Sequence, residues 1–253
     1  MTGPPTSRPV PRTTARPAHR PSFPAAPGWL TVPLAHRGLH TPDGPQENTL
    51  DAFAAARDAG VGVELDVHVS ADGVPVVHHD LTLADGRPIG RVAAADLPAH
   101  VPTLADALDL LTAVPVMVEL KQAALRVGAL ERATARVLDG HRGPHCIASF
   151  RPETVAWFAR HRPATVRVFT VTDQPDAPTP APLRRWLARL GPVRWLRPHA
   201  LSVDVRDLPT PASVAWREQG GTVTTWTVRD AATRATARTH ADGLIFEHVD
   251  PYG

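Results

Sequence analysis

The stretch GVELDVHVSADGVPVVHH, from Gly62 to His79, holds two apolar, β-branched runs separated by Ala71-Asp72-Gly73. Asp-Gly between such runs is a strong hairpin signal. A parallel crossover needs about a dozen residues or more, so these two strands must be antiparallel. A two-residue turn at Asp72-Gly73 sets His79 opposite Asp66, and the period of two puts Glu64 on the same face. A bulge in the turn would bring His78 there instead.

Outside this hairpin the chain alternates. Strand-like runs fall at 31–36, 62–67, 115–120, 144–149, 165–170, 200–204, 222–227 and 242–246. Helix-like segments lie near 49–59, 103–112, 123–138, 152–161, 182–190, 211–219 and 230–238. Asn48-Thr49 and Thr103 are natural N-caps, while Pro152 and Pro211 suit a first helical turn. Eight strands with helices between them predict a single α/β domain, a (β/α)8 barrel. The 62–79 hairpin is then an excursion in which the second barrel strand overshoots the barrel top and the chain folds straight back.

The 253 residues, 43% hydrophobic, are enough for one such core. Residues 1–28 are rich in proline and arginine, without hydrophobic period, and read as a disordered leader before a domain spanning 29–253. Arg8, Arg12, Arg16 and Arg20 concentrate positive charge there, and the rest of the chain is slightly acidic. That balance argues against nucleic-acid binding. Cys146, the one cysteine, excludes an intrachain disulfide and reads as a buried, inert thiol. No apolar signal segment or membrane span is visible, so a cytoplasmic protein is expected.

Chemistry gathers at the strand ends. His36-Arg37-Gly38, Glu64-Leu65-Asp66, His78-His79-Asp80 and Glu119-Leu120-Lys121 each close an apolar run, and catalytic groups of barrels project from strand C-termini. Glu64, Asp66 and Glu119 supply three oxygen ligands suited to Mg²⁺ or Ca²⁺. His36 and His79 can give and take protons near neutral pH. Arg37 and Lys121, the sole lysine of the chain, can hold phosphoryl oxygens. The remaining histidines, His40 and His68 among them, carry no such company and read as solvated or merely hydrogen-bonded.

In order along the chain, Ala35-His36-Arg37-Gly38, Glu47-Asn48-Thr49, Glu64-Leu65-Asp66-Val67, Asp72-Gly73, His79-Asp80 and Glu119-Leu120-Lys121 resemble the signature of the glycerophosphodiester phosphodiesterase family. Ser149-Phe150, Trp226-Thr227-Val228 and Asp242-Gly243-Leu244-Ile245 fall where that family has similar segments. The resemblance implies a TIM-type barrel with a divalent metal, hydrolysing glycerophosphodiesters to glycerol 3-phosphate and an alcohol. It implies His36 and His79 as the acid–base pair, Glu64, Asp66 and Glu119 as metal ligands, and Arg37 and Lys121 on phosphate. Glu47 would orient Arg37. Gln46, the run Leu83–Pro88 and the ending Phe246-Glu247-His248 depart from the family pattern. The alternatives are a phospholipase-like activity on lysophospholipids and a non-catalytic barrel that binds phosphate esters.

Leu183–Arg197 reads LRRWLARLGPVRWLR, with no acid. Leu183, Trp186, Leu187 and Leu190 follow helical spacing, with Arg184, Arg185 and Arg189 opposite. This predicts an outer barrel helix, with peripheral membrane contact as the alternative.

Overall fold

The computed structural model describes residues 23–121, 127–177 and 179–253. Eight parallel strands close on themselves: β1 (Leu34–His36), β2 (Gly62–Val69), β4 (Val116–Leu120), β5 (His145–Ser149), β6 (Val166–Val171), β7 (Ala200–Asp204), β8 (Thr222–Val228) and β9 (Gly243–Phe246). Pairing of β1 with both β9 and β2 completes the cylinder. The short strand β3 (Pro75–Val77) lies antiparallel on the far end of β2. The predicted (β/α)8 barrel with its hairpin excursion is the architecture found.

The helices are α1 (Leu50–Asp58), α2 (Leu104–Leu110), α3 (Ala129–Gly140), α4 (Pro152–His161), α5 (Ala181–Ala188), α6 (Val193–Leu196), α7 (Pro211–Glu218) and α8 (Ala231–His240). Residues 123–126 of the segment expected to be helical over 123–138 lie outside the described residues. Thr49 and Thr103 cap α1 and α2, and Pro152 and Pro211 open α4 and α7. Helices this short are marginal alone. They persist because Phe53, Leu104, Leu108 and Phe158 bury their faces on the barrel, each at roughly 1.5–3 kcal/mol.

Leu34, Met117, Cys146, Ala148, Val168, Ala200 and Ile245 pack together inside the barrel, with Leu30 reaching in beside the start of β9. Cys146 is fully buried, and that burial pushes its thiol well above the ordinary range, as expected for an inert side chain. Of the leader expected over 1–28, residues 1–22 lie outside the described residues. The packed body begins before residue 29: the Phe23 ring lies 3.9 Å from that of Trp216.

Two local expectations need correction. The hairpin register pairs Val67 with Val77 and Val69 with Pro75, one residue off the predicted alignment. Gly73, at φ +84°, donates its N–H to Ser70, and the Ser70 N–H donates to Val74. The loop is therefore three residues, Ala71-Asp72-Gly73, with glycine in the left-handed position. His78, not His79, lies opposite Asp66, its N–H donating to the Asp66 carbonyl at 3.0 Å. On α5, Arg184 turns inward rather than to solvent. It is 9% exposed and donates to the Asp173 carbonyl and carboxylate, whereas Leu183 and Trp186 are exposed. Polar groups of the neighbouring loop accept from the guanidinium, which occupies the face that the apolar spacing assigned to leucine.

Candidate active site

Register brings the acids together. His36 of β1 is the direct partner of Glu64 on β2, and Asp66 is the direct partner of Glu119 on β4. Alternation puts Glu64 and Asp66 on one side of their strand. All three carboxyl groups are buried. One oxygen from each lies within 4.8 Å of the others, a spacing that one cation could bridge.

Fixed cations surround this cluster. Lys121 Nζ stands 2.7 Å from Glu119 and 3.1 Å from Asp66, and Arg37 Nε is 3.3 Å from Asp66. Burial alone would raise the Asp66 pKa, but Lys121 and Arg37 hold it far below the ordinary carboxylate range. Glu64 goes the other way. Burial, with repulsion from Asp66 and Glu119, pushes it well up. Its Oε2 is buried with no hydrogen-bond partner. Burial opposes the charge on Lys121 and Arg37 as well, yet the surrounding acids raise both pKa values.

The His36-Arg37-Gly38 turn aims these groups. Arg37 sits at φ +59°, where few non-glycine residues go. Its N–H donates to Glu64 and its carbonyl accepts from Asn48, so both neighbours pin it. A Cβ on Gly38 would come within 2.9 Å of the Ala52 backbone, so only glycine fits at that close approach. Glu47 accepts from Arg37 Nη1 at 2.8 and 2.9 Å, which places it where an orienting residue would be.

His79 reaches the mouth although the register sets His78 opposite Asp66. The ladder ends at Val77, and the chain then turns so that His79 lines the same cavity as His36, Arg37, Glu64, Glu119 and Lys121. Its Nδ1 lies 2.8 Å from Asp80, and its carbonyl is 3.0 Å from Nε2 of buried His68. His68 is thus hydrogen-bonded, as expected. The cavity measures about 470 Å³. Its other wall carries Phe150 and Trp226, edge to face at 5.4 Å, and the buried Thr170 and Ser202 hydroxyls, which have no hydrogen-bond partner.

Two further residues act on this site. Glu247, just past β9, accepts from His36 Nδ1 and, through its other oxygen, from Arg229 at 2.6 Å. Burial alone would raise its pKa, but those two donors bring it down to about 2. Its position one residue beyond the eighth barrel strand was the available signal. Asn48 donates to Asp66 Oδ2 at 3.0 Å and accepts from the Asp66 N–H, holding that carboxylate from beneath. Sequence position alone marks it only as a helix-capping candidate.

Over residues 36–251 the chain matches the glycerophosphoryl diester phosphodiesterase family. It is 29% identical over 245 residues to the Mycobacterium tuberculosis protein named probable glycerophosphodiester phosphodiesterase 2, covering 87% of this chain and 88% of that one. A shorter match, 38% identical over 84 residues, is to a glycerophosphocholine phosphodiesterase of Eremothecium gossypii. It covers 30% of this chain and only 6% of that much longer relative. The fold is similar to an Oleispira antarctica phosphodiesterase solved with the product sn-glycerol-3-phosphate, with TM-score 0.73, 23% identity, and 87% and 93% of the two chains covered. It is also similar to a Thermotoga maritima glycerophosphodiester phosphodiesterase, with TM-score 0.66, 24% identity, and 85% and 94% covered. These two likenesses concern the barrel, whereas the sequence match runs from the first site histidine to within two residues of the C-terminal glycine. On that match, this chain belongs to the glycerophosphoryl diester phosphodiesterase family.

Proposed function

We propose that the chain is a metal-dependent phosphodiesterase that hydrolyses glycerophosphodiesters to glycerol 3-phosphate and an alcohol, with His36 and His79 as its acid–base pair. The observation that carries this reading is convergence. Three buried acids close enough to share one cation lie beside a cavity that both imidazoles line.

The donor set fits a hard divalent ion, Mg²⁺ or Ca²⁺, which takes oxygen ligands. Three carboxylates packed together in a buried site repel one another unless cations offset them, and the buried Glu64 Oε2 has no hydrogen-bond partner. Held by Glu64, Asp66 and Glu119, such an ion would supply Lewis-acid polarisation of the phosphoryl oxygens.

The chain's own groups account for the rest. Arg37 and Lys121 neutralise nonbridging oxygens, with Glu47 holding the Arg37 fork in place. An ionised Glu247 is an acceptor only, so His36 Nδ1 carries a proton, and Nε2 faces Glu64 at 3.8 Å. Asp80 orients His79 Nδ1 in the same manner. One imidazole, neutral, takes the proton of the attacking hydroxyl, and the other, entering as imidazolium, gives a proton to the leaving alkoxide; where the glycerol's own hydroxyl attacks, water then opens the cyclic phosphate to glycerol 3-phosphate.

Release of glycerol 3-phosphate from glycerophosphocholine tests the proposal. EDTA should lower turnover by about 10³-fold, the several kcal/mol that a catalytic ion supplies, and Mg²⁺ or Ca²⁺ should restore it. Full activity after EDTA treatment, or hydrolysis of lysophospholipids alone, would overturn it. Among the described residues no helix is long and apolar enough to cross a membrane. Trp195, 74% exposed on α6, leaves peripheral contact through 183–197 a matter for vesicle binding.

A further inference from the structure

The described residues bring together a second set of ligand-bearing side chains, of different chemistry from the three acids. His40 follows the His36-Arg37-Gly38 turn, and Glu247 and His248 follow β9. One donor atom from each of the three lies within 4.8 Å of the others. We propose that His40, Glu247 and His248 form a second metal site, one that takes a zinc-class divalent ion.

Four observations support it. His40 Nε2 is buried and has no hydrogen-bond partner, an expensive state for a polar atom. His248 is held at φ +53°, a backbone conformation uncommon outside glycine and enriched at functional sites. The two imidazoles meet edge to face, with centroids 4.9 Å apart, so they already sit side by side. Both line a second cavity of about 390 Å³, which meets the first at His79.

Ligand chemistry selects the ion. Two imidazole nitrogens and one carboxylate oxygen, with a position left for water, suit Zn²⁺ and ions like it. Mg²⁺ and Ca²⁺ take oxygen and would prefer the three-acid cluster. Glu247 need not abandon its present partners. Its two oxygens offer about four lone-pair directions, of which His36 and Arg229 use two. A cation bound there would share one carboxylate with His36 and so lie a single residue from the proposed acid–base pair. The site itself does not depend on which reaction the barrel performs.

Zinc binding to tag-free protein, measured by calorimetry and by competition with a chromogenic chelator in excess Mg²⁺, tests the proposal. The expected result is one Zn²⁺ per chain, with affinity reduced about tenfold or more in both His40→Gln and His248→Asn. Asparagine is chosen because it tolerates the left-handed backbone. Substituting Co²⁺ should give a visible band that both variants lose. Unchanged zinc affinity in the two variants overturns the proposal. So does zinc binding that only Glu64→Gln removes, since the ion would then belong to the three-acid cluster.

Discussion

The barrel mouth has two unlike halves. Strands β1, β2, β4 and β9 end in His36, Arg37, Glu64, Asp66, Glu119, Lys121 and Glu247, nearly all charged and tied to an opposite charge. Strands β5 to β8 end in Phe150, Thr170, Ser202 and Trp226, with Arg206 paired to both Asp204 and Asp176 at the rim. The charged half is preorganised: each buried group has its geometry set by a neighbour, and charges in such surroundings interact more strongly than in water. The neutral half offers aromatic faces and two hydroxyls whose hydrogen bonds are unmade. Under the proposed function it would receive the unreactive part of the substrate, and the charged half would act on the phosphate.

Substitutions on the charged half should therefore cost far more than on the neutral one. His36→Ala and His79→Ala should each lower kcat by ~10²–10⁴-fold, measured as glycerol 3-phosphate release. His78→Ala, one residue away, should leave kcat near wild type. If instead His78→Ala is inactive and His79→Ala is not, the ladder register rather than the turn after Val77 decides which imidazole works.

Glu247→Gln comes next, at about 10–100-fold in kcat, the usual effect of removing a carboxylate that orients a functional imidazole. Its pH signature is separable. Glu247 ionises at about 2 in the fold against 4.5 ordinarily, so its carboxylate stabilises the protein above the ordinary range. That contribution is lost as pH falls through the folded value. The Tm gap between wild type and Glu247→Gln should be full at pH 7 and should close by about pH 2. A gap that is constant with pH would mean the carboxylate charge does not matter there.

Asn48→Ala should destabilise by ~1–3 kcal/mol, leaving Asp66 short of a buried partner and straining the backbone at φ +57°. Chemical denaturation measures this. Asn48→Gly should recover only the backbone share. On the neutral half, Ser202→Ala removes a hydroxyl that has no partner, so stability should stay within about 0.5 kcal/mol. kcat should fall less than about tenfold, the worth of one hydrogen bond to substrate.

Much of this architecture is readable without coordinates, because it is periodic or local. Strand and helix alternation predicts the closed barrel, and Asp-Gly between β-branched runs predicts the hairpin. Acids at strand ends predict the buried cluster, since a period of two leaves Glu64 and Asp66 no choice but a common face. Burial of Cys146 follows from its apolar surroundings in the same way.

Other features depend on contacts that no local pattern encodes. A single left-handed glycine at position 73 shifted the hairpin by one residue, because turn geometry, not hydrophobic content, sets register. Arg184 took a buried place that helical spacing assigned to leucine, because carbonyl groups across the loop needed a donor. Glu247 meets His36 across 211 residues only because the last strand closes against the first. Sequence alone determined which chemical groups stand at the barrel mouth, since strand periodicity is a property of neighbours. Only tertiary closure decided which of them touch, since those contacts join segments that the chain itself keeps far apart.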